Sequence, residues 1–169
     1  MLQIYTGNGK GKTTAALGAV LRGAGKGLKT IFFAFLKGDV NYGEVLAADK
    51  LNFLDIRLVG RDAFVNFRQP EQVDLDMAAM GWAEAKDAIL NRSADIIVLD
   101  EFNLLLATKM LPLQEVAGFL EEHKNDMEII VTGRGAPAEL VGIGDLVTDM
   151  QEVKHYLARG FVAREGFDH

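Results

Sequence analysis

The first residues that could do chemistry form a glycine-rich stretch near the start of the chain, TGNGKGKTT at positions 6–14. A phosphate-binding loop has the pattern G-x-x-x-x-G-K-[ST], which this stretch matches at Gly11, Lys12 and Thr13 but not at Thr6. The backbone N–H groups of such a loop converge on an anion where a helix begins. We therefore predict that Lys12 binds the outer phosphates of a nucleotide and that the Thr13 hydroxyl binds Mg²⁺. The alternative is a flexible turn.

Two carboxylates at the end of a predicted strand supply the second half of a nucleotide site. Asp100 and Glu101 follow the apolar run 96–99, and parallel strands bring their carboxyl ends to the edge where the loop lies. Because Mg²⁺ prefers oxygen ligands, one or both residues are predicted to bind or orient it. Arg134 follows another predicted strand and could hold a phosphate. The alternatives are solvated acids and a surface arginine.

The elements that must position these residues alternate between short apolar runs and longer amphipathic segments. Strands are predicted at residues 2–5, 30–36, 53–58, 96–99, 128–132 and 146–150. Helices are predicted at 13–25, with Leu17, Val20 and Leu21 on its apolar face, at 74–91, and at 112–124, which begins with proline in its first turn. This alternation predicts a doubly wound α/β fold, RecA-like and of the phosphate-loop NTPase type, with a mainly parallel sheet and helices on both faces.

One segment, residues 60–70, is too polar for a core element and too long for a tight turn. It carries Phe64 and Phe67 among charged and amide side chains. These two aromatic residues could belong to the core or could line a ligand site. The segment is therefore predicted to be a functional loop.

The composition limits the classes of function. The chain has 169 residues, 49% of them hydrophobic, which fits one domain over residues 1–169. Its net charge of −6 disfavours a nucleic-acid partner. The lack of cysteine excludes disulfides, thiolate metal sites and thiol nucleophiles, and His123, His155 and His169 have no metal-ligand spacing. With no recognisable signal peptide or membrane span, a cytoplasmic protein without membrane contact is expected.

Three reactions are compatible with such a site. An ATP hydrolase would need a positioned water, with Glu101 as base, and a small-molecule kinase would need an acceptor pocket and cationic groups on a lid. The third reaction is attack at the ribose C5′ carbon with the whole triphosphate as leaving group. Extra donors along the loop, including Lys10, would stabilise the charge that then spreads over the phosphate chain. A regulatory module that binds ATP without turnover is a further alternative.

Six motifs occur in order along nearly the whole chain. They are TGNGKGKTTAALG (6–18), FLKG followed by GE (35–38 and 43–44), VLDEFN (98–103), VTGRGAP (131–137), DLVTDM (145–150) and VKH (153–155). No single motif is specific, whereas the ordered set is. Together they resemble the ATP:corrinoid adenosyltransferases of cobalamin synthesis and salvage.

The resemblance implies an activity and its partners. The 5′-deoxyadenosyl group of ATP, bound with Mg²⁺, would be transferred to the cobalt of a corrinoid that has been reduced to the cob(I) state. The cobalt would attack C5′ and expel triphosphate. A reduced flavoprotein is implied as electron donor, and a homodimer as the assembly.

The resemblance also implies roles for individual residues. ATP is expected to contact Gly7, Asn8, Gly9, Lys10, Gly11, Lys12, Thr13, Thr14, Arg22 and Arg134. Lys12, Thr13 and Glu101 are expected to act in catalysis, with Thr13 and Glu101 holding Mg²⁺ and Asp100 supporting the metal shell. The corrinoid is expected to contact Lys37, Glu44, Phe64 and Phe67.

Two departures from the family pattern concern the corrinoid. Members commonly carry a G-F-T-W-like stretch after the third strand, which displaces the lower ligand of the cobalt, whereas residues 60–67 read GRDAFVNF without tryptophan. Phe64 and Phe67 are the predicted replacements. Some members also have an N-terminal arm over the corrinoid site of the neighbouring subunit. This chain begins at the first strand, so we expect a more open site or another element as cover.

Overall fold

A six-stranded parallel sheet forms the centre of the fold. The computed structural model describes residues 1–162, 164, 166 and 167. Its strands are β1 (Leu2–Thr6), β2 (Thr30–Phe35), β3 (Leu54–Val59), β4 (Ile96–Asp100), β5 (Glu128–Thr132) and β6 (Leu146–Asp149). They lie in the order β3-β2-β4-β5-β1-β6, and all neighbouring pairs are parallel. The strand β5 therefore separates β1, which precedes the glycine-rich loop, from β4, which ends in Asp100.

Six α-helices and a short 3₁₀ helix connect or follow the strands. The α-helices are α1 (Lys12–Ala24), α2 (Gly43–Ala48), α3 (Gln72–Leu90), α4 (Phe102–Ala107), α5 (Leu113–His123) and α6 (Ala138–Ile143). The 3₁₀ helix covers Tyr156–Arg159. Within the described residues, no helix has the length and apolar character needed to cross a membrane.

Alternate residues of the central strands are buried on opposite faces of the sheet. Ile97 and Leu99 of β4 pack in a core with side chains of α3, α4, α5 and α6. Ile96 and Val98 pack on the other face in a core with α1. A strand buried on both faces reads as a continuous apolar run, which is why β2 and β4 could be recognised. The predicted phosphate-loop α/β fold, with a parallel sheet and helices on both faces, is confirmed.

The predicted strands and long helices are confirmed, with ends displaced by at most two residues. The helices α2, α4 and α6 were not predicted, because six residues show too little periodicity to be recognised. Pro112 is the residue before α5 and not part of its first turn. The assignment of Leu21 to the apolar face of α1 was wrong, since its side chain is 67% exposed. The face of α1 that packs on the sheet has helical spacing and includes Ala16, Gly23 and Val20, the last of these as predicted.

Candidate functional site

The glycine-rich loop connects β1 to α1 at the carboxyl edge of the sheet. Gly7 and Gly11 have φ angles of 96° and 117°, in the left-handed region that glycine adopts without strain. Lys12 begins α1 and is buried, and its Nζ donates a hydrogen bond to the carbonyl of Gly9 at 2.6 Å. The lysine amino group therefore lies against the loop that the sequence assigns to phosphate.

The chain that follows β6 explains two of the loop glycines. The N–H of Gly9 donates to the carbonyl of Met150 at 2.7 Å, and the N–H of Met150 donates to the carbonyl of Thr6 at 2.9 Å. A Cβ atom at Gly7 would lie 2.2 Å from Oδ1 of Asp149, and one at Gly9 would lie 2.7 Å from the carbonyl oxygen of Met150. Glycine is therefore required at both positions by close packing, a reason that the phosphate-loop pattern does not contain.

Two polar side chains join the loop to the segment after β5. Thr6, which replaces the usual first glycine, accepts a hydrogen bond at its hydroxyl from the N–H of Ala136 at 3.1 Å. Asn103 is fully buried, and its side-chain amide donates to the carbonyls of Gly133 at 2.9 Å and of Tyr5 at 3.3 Å. Asn103 had no predicted role, although an amide two positions after a pair of acids at a strand end was a signal for one.

Asp100 is the centre of a buried hydrogen-bond network. Its side chain is fully buried, and Oδ1 accepts from the hydroxyls of Thr13 at 2.8 Å and Thr132 at 2.6 Å. Its Oδ2 lies 3.0 Å from Nζ of Lys37 in an ion pair. The Thr132 hydroxyl also accepts from the N–H of Glu101 at 3.1 Å. The structure brings Thr13 and Asp100 together, as parallel strands should. It adds Thr132, whose signal was a threonine ending an apolar strand.

Glu101 occupies a strained and charged position after β4. Its φ of 58° is unusual for a residue with a side chain, and such strain is concentrated at functional sites. Burial, followed by the charge of Asp100, raises the pKa of Glu101, while Lys37, Lys12 and Arg134 oppose the shift. Burial disfavours the charged form of Lys12 as well, and therefore lowers the pKa of Lys12. Glu101 opposes this shift and Arg134 adds to it. Glu101 and Arg134 are therefore within electrostatic reach of the loop lysine.

The oxygen atoms at this edge fit a hard cation. The Thr13 hydroxyl donates its hydrogen bond to Asp100, so its lone pairs remain for a metal ion, and Glu101 adds a partly exposed carboxylate. Mg²⁺ is usually held by one or two carboxylates together with substrate phosphates and water. Within residues 1–162, 164, 166 and 167, no group of three or more His, Cys, Asp or Glu side chains could hold a metal. Nucleotide phosphates would have to complete the coordination.

Two of the three histidines lie among the described residues, and each contacts a neighbouring side chain. Nδ1 of His123 is 3.2 Å from Oδ2 of Asp126, and the ring of His155 packs at a centroid distance of 4.5 Å on Tyr156. His169 lies outside the described residues. Neither of these two contacts involves a residue that was predicted to bind the metal.

Lys37 and Glu44, both predicted to contact corrinoid, lie beside Asp100. Nζ of Lys37 is 3.2 Å from Oε1 of Glu44, in addition to its ion pair with Asp100. The Lys37 side chain is only 19% exposed. Burial opposes its charged form, but the carboxylates of Asp100 and Glu44 together hold the pKa of Lys37 above its ordinary value. Lys37 is therefore a partly buried cation shared between two acids.

The loop at residues 60–70 presents one aromatic side chain and buries its neighbours. Phe64 is 91% exposed, whereas Val65 is buried and Phe67 packs partly buried against the core. Arg61 anchors the loop through Nε to Oδ1 of Asp74 at 2.7 Å, with a second bond between the same side chains at 2.9 Å. The two predicted aromatic contacts to corrinoid therefore have different environments, since Phe64 is almost fully exposed and Phe67 is only partly exposed.

The remaining predicted ATP contacts are spread along the loop and α1. Asn8 and Thr14 are exposed at the loop and in the first turn of α1. Arg22 is exposed in the last turn of α1. It follows Lys12 by ten positions, which is about 15 Å along a helix axis. Within this chain, Arg22 is therefore not gathered with the loop residues.

The side chain of Lys10 contacts the C-terminal part of the chain. Its Nζ donates to the carbonyl of Phe167 at 2.8 Å and lies 3.4 Å from the hydroxyl of Tyr156. Arg164 packs over the rings of both Tyr156 and Phe167 at 5.2 Å. Lys10 was predicted to contact ATP, and the structure adds a role in holding these residues next to the loop.

Replacement of Lys10 by methionine is expected to loosen the C-terminal residues more than it weakens ATP binding. An exposed contact of this kind contributes roughly 0.2–1 kcal/mol, so tryptic cleavage after Arg159 should accelerate by about 1.4- to 5-fold. Lys26→Met, a change at an exposed lysine in the turn after α1, is the matched control. Unchanged cleavage of Lys10→Met would contradict the role of the contact.

Comparisons with known proteins agree with this geometry. A family model described as ATP:corrinoid adenosyltransferase BtuR/CobO/CobP matches residues 1–169. The corrinoid adenosyltransferase of Escherichia coli (strain K12) is 34% identical over 168 residues, covering 98% of this chain and 84% of that protein. An uncharacterized protein from Nostoc sp. is 36% identical over 167 residues, covering 91% of this chain but only 44% of that protein.

A solved structure shares the fold. The flagellar accessory protein FlaH from Methanocaldococcus jannaschii superposes with a TM-score of 0.57 at 12% identity, covering 88% of this chain and 69% of that chain. At this level of identity the similarity concerns the α/β architecture and not the ligands.

Proposed function

The chain belongs to the ATP:corrinoid adenosyltransferase family, and on this premise we propose that it transfers the 5′-deoxyadenosyl group of ATP to the cobalt of a corrinoid. The observation that carries the proposal is the family match over residues 1–169. It is supported by the network in which Thr13 and Lys37 contact Asp100 next to the loop lysine, Lys12. Both substrates would bind to this one domain.

The chemical step makes one bond and breaks another. Cobalt in the cob(I) state would donate its electron pair to C5′ of ATP, and the bond from C5′ to the phosphate oxygen would break. The triphosphate leaves with that bonding pair, so negative charge grows along the whole phosphate chain. Preorganised donors are effective at such a position, and Lys12, the loop N–H groups and Arg134 would supply them. Mg²⁺, held by Thr13 and Glu101, would neutralise part of the same charge.

Asp100 would act on this site through its neighbours. Both of its oxygens are already engaged, by two threonine hydroxyls and by Lys37. It would therefore orient the Thr13 hydroxyl, with its lone pairs directed to the metal, and would not bind the metal itself. This division of roles supports Thr13 and Glu101 as the metal ligands and Asp100 as the residue behind them.

The corrinoid would lie against the loop at residues 60–70. Phe64 is 91% exposed, so its ring is available to an apolar ligand without any rearrangement of the core. An apolar side chain at the lower face of the corrin would exclude the lower cobalt ligand. Losing an axial ligand favours the lower oxidation state, so the reduction of cob(II) to cob(I) becomes easier. Phe64 is the side chain available for this role.

The proposal is tested by the products of one anaerobic reaction. Incubation with MgATP and chemically reduced cob(I)alamin is expected to give adenosylcobalamin, identified by its visible spectrum, and inorganic triphosphate in equal amounts. Production of ADP and phosphate alone would refute the transferase and favour an ATPase or a kinase. Binding of ATP without turnover under the same conditions would favour a regulatory module.

Phe64 and Phe67 are expected to respond differently to replacement by alanine. Phe64→Ala should slow the reaction that starts from cob(II)alamin and a reductant more than the reaction with pre-reduced cob(I)alamin, and it should leave stability unchanged because Phe64 is exposed. Phe67→Ala should lower the free energy of unfolding by roughly 1–3 kcal/mol, less than for a fully buried phenylalanine. Both assays and urea unfolding are compared with Leu21→Ala, a change at a remote exposed position. If Phe64→Ala lost the same fraction of its rate in both assays, Phe64 would have no role in displacing the lower cobalt ligand.

The family also suggests the setting of the reaction. We infer a reduced flavoprotein as the electron donor, a homodimer as the assembly and the cytoplasm as the compartment. Sedimentation of the purified chain would determine the assembly, and reduction of cob(II)alamin by a defined flavodoxin in its presence would test the donor.

A further inference from the structure

A three-residue segment after β2 lies between the nucleotide edge and the loop at residues 60–70. The strand β2 ends at Phe35, and Leu36 then takes a φ of 61°, a conformation that costs free energy for a residue with a side chain. The N–H of Leu36 still donates to the carbonyl of Val59 at 2.8 Å. The turn therefore holds residues 36–38 against the start of the 60–70 loop.

On one side, this segment is fixed by charge. Nζ of Lys37 lies 3.0 Å from Oδ2 of the fully buried Asp100 and 3.2 Å from Oε1 of Glu44. Asp100 in turn accepts the hydroxyl proton of Thr13. A buried ion pair is costly to break from one side, because the remaining charge is left uncompensated. The position of Lys37 is thus tied to the first helical turn after the glycine-rich loop.

On the other side, the segment is fixed by close backbone contact. A Cβ atom at Gly38 would lie 2.4 Å from the backbone carbon of Arg61, and one at Gly60 would lie 2.6 Å from the backbone nitrogen of Lys37. These distances leave no room for any side chain. The backbones at residues 37–38 and 60–62 are therefore in direct contact, and a shift of one toward the other is blocked.

The start of the 60–70 loop is also joined to helix α3, through the side chain of Arg61. Arg61 pairs with Asp74 at 2.7 Å and with Glu71 at 2.7 Å, and the two acids form the capping box of α3. Hydrogen bonding with Arg61, opposed by burial, lowers the pKa of Asp74. Residues 60–62 are thus held by both α3 and the 36–38 segment, and Phe64 lies in the stretch that the ion pair between Arg61 and Glu71 closes.

We propose that Lys37 is a positioning residue that couples the nucleotide site to the 60–70 loop through its ion pair with Asp100 and its backbone contact with Gly60. Nucleotide that engages Thr13 fixes Asp100, and Lys37 transmits this constraint to the loop that carries Phe64. The coupling rests on the proposed function only in taking the 60–70 loop as the corrinoid contact. The positioning role of Lys37 differs from the direct corrinoid contact that the sequence suggested for this residue.

The test measures hydrogen exchange of the full chain with and without saturating MgATP, in the absence of corrinoid. The unmodified protein is expected to gain protection at residues 7–14 and also at 60–70. Lys37→Met should keep the gain at 7–14 and lose it at 60–70, where exchange with MgATP should be about tenfold faster than in the unmodified protein. Lys37→Arg should retain most of the gain because the charge is kept. Lys50→Met, at an exposed position after α2, is the matched control and should behave as the unmodified protein.

A second variant tests the backbone contact without changing any charge. Gly38→Ala should lose the MgATP-dependent protection at 60–70 while its affinity for MgATP stays within about twofold. In the transfer assay its KM for the corrinoid should rise while its KM for ATP stays within the same factor. If Lys37→Met does not fold, Gly38→Ala still tests the coupling between the nucleotide site and the 60–70 loop.

The inference is overturned by either of two results. One is protection of residues 60–70 by MgATP in Lys37→Met or Gly38→Ala to the same extent as in the unmodified protein. The other is the absence of any MgATP effect at 60–70 in the unmodified protein itself. Because exchange is measured without corrinoid, it remains informative if adenosyl transfer fails, and transfer by the unmodified protein remains informative if the coupling fails.

Discussion

Lys12→Ala is expected to reduce MgATP affinity and the rate of adenosyl transfer by roughly 10- to 150-fold, which corresponds to about 1.5–3 kcal/mol for a hydrogen bond to a charged group. The amino group of Lys12 already lies against the loop, 2.6 Å from the carbonyl of Gly9. Equilibrium binding of MgATP and the cob(I)alamin assay measure the two effects. Lys26→Ala removes an exposed lysine of the following turn and should change neither.

The same substitution is not expected to destabilise the fold. Burial, with Arg134 adding to it, lowers the pKa of Lys12, so the folded chain carries this cation at a cost when no anion is bound. The midpoint of urea unfolding should therefore stay the same or rise slightly. Normal turnover by a folded Lys12→Ala protein would show that the loop does not hold the leaving phosphates.

Asp100→Asn is expected to lower the free energy of unfolding by about 3 kcal/mol and to abolish measurable transfer. The carboxylate is fully buried with two hydroxyls and Lys37 on its oxygens. An asparagine keeps one acceptor but turns an amide donor or a neutral oxygen toward the lysine cation. The expected loss of unfolding free energy is at the low end of the range for breaking a buried ion pair, because Lys37 keeps Glu44 as a second partner.

Urea unfolding and the transfer assay measure the two effects of Asp100→Asn. Asp95→Asn is the matched control, since Asp95 directly precedes the same strand, is exposed, and accepts a hydrogen bond from the backbone N–H of Lys29. It should cost less than about 1 kcal/mol and leave transfer intact. If Asp100→Asn were as stable and active as this control, the hydrogen-bond network around Asp100 would be needed neither for stability nor for transfer.

Much of the fold could be predicted because its signals are local. Apolar runs such as 30–35 and 96–100 are buried on both faces, so a continuous hydrophobic stretch identifies them. The order of motifs along the chain also identified the family. Loop chemistry likewise placed Lys12 and Thr13 at the start of a helix, where the structure has them.

The rest of the site depends on contacts between residues far apart in sequence. Thr132 bonds to Asp100 because β5 lies next to β4, and strand order is not written in any local pattern. Lys37 reaches Asp100 because the chain turns at Leu36, where no glycine marks the turn. The exposure of Phe64 and the burial of Phe67 also depend on which neighbour fills the core.

The packing of residues 149–150 on the glycine-rich loop has a consequence for biosynthesis. Residues 6–9 are translated directly after β1, whereas their backbone partner Met150 is translated only after β6. A nascent chain that stops before β6 lacks the acceptor for the N–H of Gly9 and the donor for the carbonyl of Thr6. The loop thus acquires its final shape only after β6 has been translated. Nucleotide added during synthesis is therefore expected to stabilise chains that include residue 150 and not fragments that end before β6.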